Sequence, residues 1–198
     1  MKRSPFYSNI FLYRLEMSIL HKGKYRKRFQ DVVDLIEGNI TSVCELCFGD
    51  IFIAEFCRKN NISWMGIDLS PEFCRYAQGK GFNATLDNVL TAELPNTDMY
   101  IIQGSLYHFK DKIDKFFDRL LKKKGSIIIA EPVRNFSSSD NFIGRLARRA
   151  SNAGIGHNSF RYDHKSLIDE LRRQQLRSPY EYEVIHIDRE MLIKITCP

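Results

Sequence analysis

Five short apolar runs constrain this chain more than any other feature: 42–48 (SVCELCF), 63–68 (SWMGID), 83–87 (NATLD), 98–104 (DMYIIQG) and 126–132 (SIIIAEP). Each has the length of a strand, and several are apolar almost throughout. Such runs suit strands covered on both faces, whereas a sheet with one wet face alternates apolar and polar residues. Helix-period stretches at 50–60, 71–79 and 111–124 lie between most of them. The second opens Ser70-Pro71-Glu72, with an N-cap hydroxyl, a proline at the first helical position and an acid in the first turn. Strand alternating with helix predicts an α/β fold: a doubly wound, mostly parallel sheet with helices on both faces.

The two ends depart from that rhythm. Residues 6–37 read as helical, with apolar residues at helical spacing in SNIFLYRLEMSIL and FQDVVDLIEG and a break at the basic stretch holding Gly23. At the other end, a helix over 163–176 precedes apolar runs at 182–188 and 191–196, separated by Asp188-Arg189-Glu190. These runs predict an antiparallel hairpin that closes a seven-stranded sheet. The intervening segment 133–162 is longer than an ordinary crossover, and long insertions commonly face substrate. At 198 residues the chain fits one domain. Its parts are an N-terminal helical lid region (1–40), a ligand-binding half (42–132), the insertion (133–162) and the helix with its closing hairpin (163–198).

Charge and cysteine content narrow the function classes. The net charge of +6 is gathered in HKGKYRKR (21–28), RLARR (145–149), LRRQQLR (171–177) and LKKK (121–124). These clusters suit RNA, an anionic surface or an acidic small molecule, or else simply a solvated helix face. The N-terminus begins basic and then apolar, but Arg14 and Glu16 interrupt the apolar region and no small-residue cleavage site follows. No stretch is long and apolar enough to predict a transmembrane span. Five scattered cysteines in apolar surroundings suit reduced thiols and a cytoplasmic protein. Cys44 and Cys47 lack a second ligand pair at zinc spacing, and as strand residues three apart they point to opposite faces. No metal site is therefore expected.

The first strand leads into Glu45-Leu46-Cys47-Phe48-Gly49-Asp50-Ile51. A dinucleotide loop needs G-x-G-x-x-G so that pyrophosphate can approach the backbone, and Gly49 alone does not supply it. A P-loop needs Gly-Lys-Ser/Thr, which the chain lacks. A ligand without phosphates asks for less. S-adenosylmethionine wants a bend after strand one, an acid near its ammonium, an acid for its ribose hydroxyls and a polar group for its adenine. Glu45, Asp68 and Asp87 stand at the ends of the first three strands, on the edge where open α/β sheets bind ligands.

The ordered set resembles the class I S-adenosylmethionine-dependent methyltransferases over roughly residues 30–198. ELCFGD stands where that family carries an acid followed by G-x-G-x-G, with Cys47 at the first glycine, Gly49 at the second and Ile51 at the third. GIDLSPEF resembles the second acidic motif, DMYIIQGSLYHF the fourth strand and its loop, and LLKKKGSIIIAEP the following helix and strand. The resemblance implies a cofactor site of Glu45, Leu46, Cys47, Gly49, Asp68, Leu69, Asp87, Asn88, Gln103, Gly104 and Ser105. It also places acceptor chemistry after strand four, with His108 and Tyr107 as candidate catalytic groups. Tyr25, Glu131 and Arg134 are candidate substrate contacts; His157 and His164 are secondary, in segments able to fold over the site. Cys47 is expected to sit in a loop conformation open to L-residues, and Ile51 to pack against strand one.

Elimination points to the acceptor class. Base N-methylating enzymes often carry Asn/Asp-Pro-Pro-aromatic after strand four, where this chain reads Gln-Gly-Ser-Leu. Cytosine carbon-5 chemistry needs a cysteine after strand four or five, and none lies between Cys74 and Cys197. A small-molecule substrate, such as a sugar or biosynthetic intermediate, is the leading expectation, with no DNA partner. Three alternatives stay open: an RNA methyltransferase using the clusters at 21–28 and 145–149, a catalytically silent binding module, and a peripheral membrane protein lying on its aromatic first helix.

Overall fold

The computed structural model describes residues 10–20, 24–36, 38–133, 160–187 and 189–197. Arg134, His157, the cluster 145–149, Gly23 and nearly all of the insertion lie outside the described residues. Two helices, α1 (Ile10–Leu20) and α2 (Tyr25–Val33), precede the sheet. Then come β1 (Ser42–Leu46), α3 (Phe52–Lys59), β2 (Ser63–Asp68), α4 (Pro71–Gly79), β3 (Asn83–Leu86) and β4 (Met99–Gln103). A 3-10 segment (Leu106–Lys112) runs into α5 (Ile113–Leu120), followed by β5 (Ser126–Pro132), α6 (His164–Arg177), β6 (Glu181–Ile187) and β7 (Glu190–Thr196).

The described strands form one seven-stranded sheet in the order β3-β2-β1-β4-β5-β7-β6. β1 to β5 pair in parallel, and β7 joins β5 and β6 antiparallel. The reversal between β1 and β4 is the switch point at which ligands enter such sheets. Strand apolarity works as the sequence predicts. In β4, Met99 and Ile101 enter the core on one face while Tyr100 and Ile102 enter the core on the other. In β5, Ile127 and Ile129 alternate with Ile128 and Ala130 in the same way.

Two element boundaries differ from expectation, each for a local reason. The helix foreseen over 111–124 is a 3-10 segment and a shorter α5, because buried Glu131 takes the Leu106 and Tyr107 N–H groups and fixes the chain before the helix begins. The helix foreseen from residue 50 starts at Phe52, since Asp50 is held in the preceding loop by side chains of α1 and α2. The N-terminal helical stretch consists of α1 and α2, and of these α2 buries Tyr25, Phe29, Val32 and Val33. α1 buries Ile10 and Met17 but leaves Phe11, Leu15 and Ile19 more than half exposed. No described helix is long and apolar enough to cross a membrane.

Candidate active site

β1 delivers its last residue, Leu46, fully buried, and the loop then turns through two left-handed residues. Cys47 has φ +57° and Gly49 φ +59°. Cys47 thus adopts the backbone shape natural to glycine, not one open to ordinary L-residues, at a cost of about 1–2 kcal/mol. Its N–H donates to the Ile67 carbonyl at 2.7 Å, which ties the turn to β2. Burial, reinforced by nearby Asp68, pushes the Cys47 thiol well above the usual thiol range. Ile51 packs as expected, fully buried in the same core as Val43 of β1.

Asp68 and Asp87 stand together. Asp68 ends β2 almost fully buried, its Oδ1 accepting from the Ser70 N–H at 2.6 Å and its Oδ2 from the Gly49 N–H at 3.4 Å. The Asp87 N–H donates to the Asp68 carbonyl at 3.1 Å, so the two strand tips are hydrogen-bonded neighbours. The Asp87 carboxylate accepts from the Asn88 N–H at 2.6 Å, and Asn88 Oδ1 in turn accepts from the Leu90 N–H. Leu69, beside Asp68, is exposed.

Glu45 is placed differently. It has no accessible surface, and Trp64 Nε1 donates to its Oε2 at 3.0 Å. Its cross-strand neighbour is Gly66, where a Cβ would collide with the Trp64 ring and lie 2.6 Å from Phe48. That glycine opens the space through which the indole reaches the acid. Burial holds the Glu45 carboxyl well above the usual carboxylate range, partly offset by the Trp64 hydrogen bond. Glu45 therefore lies within the core, bonded to Trp64, while Asp68 and Asp87 meet at the strand tips.

The β4 tip brings the acceptor-side candidates together. Gln103 Nε2 donates to the Arg28 carbonyl at 2.9 Å, and Gly104, with φ +64°, turns the chain. The Ser105 hydroxyl donates to the Gln103 carbonyl at 3.4 Å. The Tyr107 ring lies 4.0 Å from the His108 ring, tilted by 37°, and 3.8 Å from the Arg161 guanidinium. Burial pushes the Tyr107 phenol up to about 12. Glu131 accepts from the N–H groups of Leu106 and Tyr107 at 2.9 and 3.2 Å, and burial raises its carboxyl to about 8. It organises the loop that carries His108 and Tyr107. His164 begins α6, half-buried.

Sequence reasoning expected a helical lid over 1–40 but missed the pairings by which α1 and α2 hold this edge. Arg14 Nε and a terminal nitrogen donate to the two oxygens of Asp50 at 3.0 and 2.6 Å. The Tyr25 hydroxyl, foreseen as a substrate contact, donates to Asp50 Oδ2 at 2.8 Å. Tyr13 lies against the open side of Gly49, its hydroxyl 3.0 Å from where a Cβ would stand, and an Arg28 nitrogen lies 2.8 Å from the same position on Gly104. The only local hint was the acid immediately after Gly49.

No protein-family model matches the chain, and no curated protein matches it by sequence. Solved structures do match its fold. PigF with SAH superposes at TM-score 0.69 and 15% identity, over 99% of this chain and 63% of that one. Human N-acetylserotonin methyltransferase in complex with SAM gives 0.67 and 13%, over 97% of this chain, which spans only 57% of that enzyme. A SAM-dependent methyltransferase from Thermotoga maritima gives 0.64 and 15%, over 98% of both chains. With the strand order, the reversal at β1/β4 and the terminal hairpin, these likenesses give the chain the fold of the class I S-adenosylmethionine-dependent methyltransferases.

Proposed function

We propose that the protein is an S-adenosylmethionine-dependent methyltransferase acting on a small-molecule acceptor. One observation carries the reading: the Asp68 and Asp87 tips are hydrogen-bonded neighbours beside a loop that bends through Cys47 and Gly49. The residues fit the group. Gly49 and Gly104 lack a Cβ where Tyr13 of α1 and Arg28 of α2 come close, and Asp68 and Asp87 stand at the carboxyl ends of their strands, the edge where such sheets bind ligands. Asp68 would hold the ribose hydroxyls and Asp87 with Asn88 the adenine end, with Leu69 against the base. Leu46, Cys47, Gly49, Gln103, Gly104 and Ser105 would line the remainder, with Glu45 supporting the loop from behind.

The bound cofactor supplies a methyl group already activated on a sulfonium. The chain then has to align the acceptor, exclude water and, for a hydroxyl acceptor, accept a proton. His108, with Tyr107 beside it, is the candidate for that proton, and Glu131 positions their loop; Arg134 remains an acceptor contact in this reading. The small-molecule reading rests on the motifs that the loop after β4 lacks; of the described basic-cluster residues, Lys24, Arg26, Lys122, Lys124 and Arg172 are exposed, while three arginines are engaged internally. Arg28 pairs with Glu190 at 2.6 Å, Arg173 with Glu170 at 2.6 Å and with Asp114, and Arg177 with Asp118 at 3.2 Å.

Calorimetry tests the proposal. The protein should bind S-adenosylmethionine and its demethylated product at micromolar concentration. Asp68→Ala should weaken both by about tenfold or more while folding normally, as expected for lost charge-assisted hydrogen bonds. Wild-type protein that binds neither compound would remove the enzymatic reading and leave a silent module of the same fold.

A further inference from the structure

The first helix is apolar on the side that points away from the protein. Its inner side does the holding: Ile10 and Met17 are buried, Tyr13 packs on Phe73 at 4.9 Å, and Arg14 grips Asp50. Its outer side carries Phe11, Leu12, Leu15 and Ile19, which expose 70, 43, 57 and 68% of their surfaces. Phe11, Leu15 and Ile19 follow at intervals of four, so they form one stripe along the helix with Leu12 beside it. A surface helix ordinarily turns polar residues outward. A contiguous apolar patch there marks an interaction surface.

Charge identifies the occupant. Residues 1–30 carry eight lysines and arginines and a single acid, Glu16. Just past α1, Lys24 and Arg26 are exposed. On α4, exposed Lys80 reaches the Tyr76 ring that Arg14 of α1 also meets. The two acids at the end of α2, Asp31 and Asp34, accept from Lys27 and Gln30.

A second copy of the chain fits such a patch poorly. In a two-fold pair the same surface meets itself, so the flanking cations would face one another. The stripe is also small. Eleven residues rise about 16 Å, and a single helix about 10 Å wide falls well short of the roughly 800 Å² that each partner buries in a stable dimer. An anionic bilayer suits both properties: apolar side chains enter the headgroup boundary while the neighbouring cations meet anionic lipid. No described helix is long and apolar enough to cross a membrane, so the contact runs along the surface.

We infer that α1 docks the protein on an anionic membrane surface, with Phe11, Leu15 and Ile19 among the lipid headgroups and Lys24 and Arg26 on the lipid phosphates. The inference stands apart from the methyltransferase reading, since it needs no cofactor. The inner side of α1 holds the loop after β1, so docking sets that loop about one helix diameter, about 10 Å, from the bilayer.

Vesicle sedimentation of the full chain tests it. Vesicles of equal parts phosphatidylcholine and phosphatidylglycerol should bind the wild type about tenfold or more tightly than phosphatidylcholine alone, as two cations at an anionic surface imply, and high salt should release it. Leu15→Gln/Ile19→Gln and Lys24→Glu/Arg26→Glu should each lose about tenfold or more of that binding, with melting temperatures close to wild type because all four side chains are exposed. Wild type that ignores both vesicles, binds both equally, or binds as tightly as either variant overturns the inference. Sedimentation velocity without vesicles supplies the other arm: a dimer that Leu15→Gln/Ile19→Gln splits, in a protein that does not bind vesicles, gives the stripe to a second copy instead. If Leu15→Gln/Ile19→Gln does not fold, Lys24→Glu/Arg26→Glu alone decides the vesicle arm.

Discussion

The Arg14 guanidinium grips both oxygens of Asp50, Nε on Oδ2 at 3.0 Å and a terminal nitrogen on Oδ1 at 2.6 Å. The first helix is thereby bolted to the loop that follows β1, and Tyr25 adds a bond from the second helix. Asp50 is almost fully buried, so losing its partners leaves a desolvated charge. Arg14→Ala should therefore cost about 1.5–3 kcal/mol, and cofactor affinity should fall with it as the loop loosens. Limited proteolysis would show early cleavage within residues 10–36. A variant as protease-resistant and as tight-binding as wild type would mean that the helices dock without this grip.

Cys47 offers a second test, because its φ of +57° separates backbone shape from side-chain chemistry. Cys47→Gly relieves the left-handed strain of about 1–2 kcal/mol but adds unfolded-state entropy of about 0.5–1 kcal/mol. Its melting temperature should match or exceed that of wild type, and its cofactor affinity should hold. Cys47→Val puts a β-branched residue in the same place and should lose about 1–3 kcal/mol. Urea denaturation of the pair checks the sign; a stable valine variant would contradict a left-handed backbone at this position.

The layered architecture was legible because it is written in local patterns. The runs MYII and SIIIA could only be strands covered on both faces, and Ser70-Pro71-Glu72 marked a helix start that the Phe73 N–H confirms by donating to the Ser70 hydroxyl. Asp68 and Asp87 were legible as strand-end acids for the same reason. Long-range pairings were not. Arg14 and Asp50 are 36 residues apart, and Trp64 and Glu45 are 19 apart, so no periodicity links them. Arg28 read as one more member of a basic cluster, whereas burial beside Glu190 sets it apart from the exposed Lys27. The left-handed Cys47 ran against residue preference, so local pattern gave no sign of it.

Glu131 predicts a pH dependence of stability. Its carboxyl titrates near 8 in the folded chain against an ordinary value of 4.5. Between those values the unfolded chain has released a proton that the folded chain still holds, so raising the pH favours unfolding. The group's contribution is complete below the unfolded value and lost as pH climbs through the folded one. Glu131→Gln, which cannot ionise, should flatten part of this decline; buried Glu45 shifts in the same direction and accounts for some of the remainder. Melting temperatures at pH 5.5 and 8.5 should show the gap between wild type and variant narrowing with pH. A gap that widens would place the proton elsewhere.

Trp64 decides what Glu45 does. Trp64→Phe retains an aromatic ring beside Phe48 and Phe82 but removes the donor that holds Glu45 Oε2. The acid has no exposed surface and no other hydrogen-bond donor among the described side chains, so the loss should cost about 1–3 kcal/mol. If Glu45 only braces the loop, S-adenosylhomocysteine affinity measured well below the melting temperature should change less than threefold, a difference of about 0.6 kcal/mol. Glu45→Gln keeps an acceptor for the indole and should be milder in both respects. An order-of-magnitude loss of affinity in Glu45→Gln with unaltered stability would instead mean that this carboxyl reaches the ligand itself, and that the loop opens on binding further than its resting hydrogen bonds suggest.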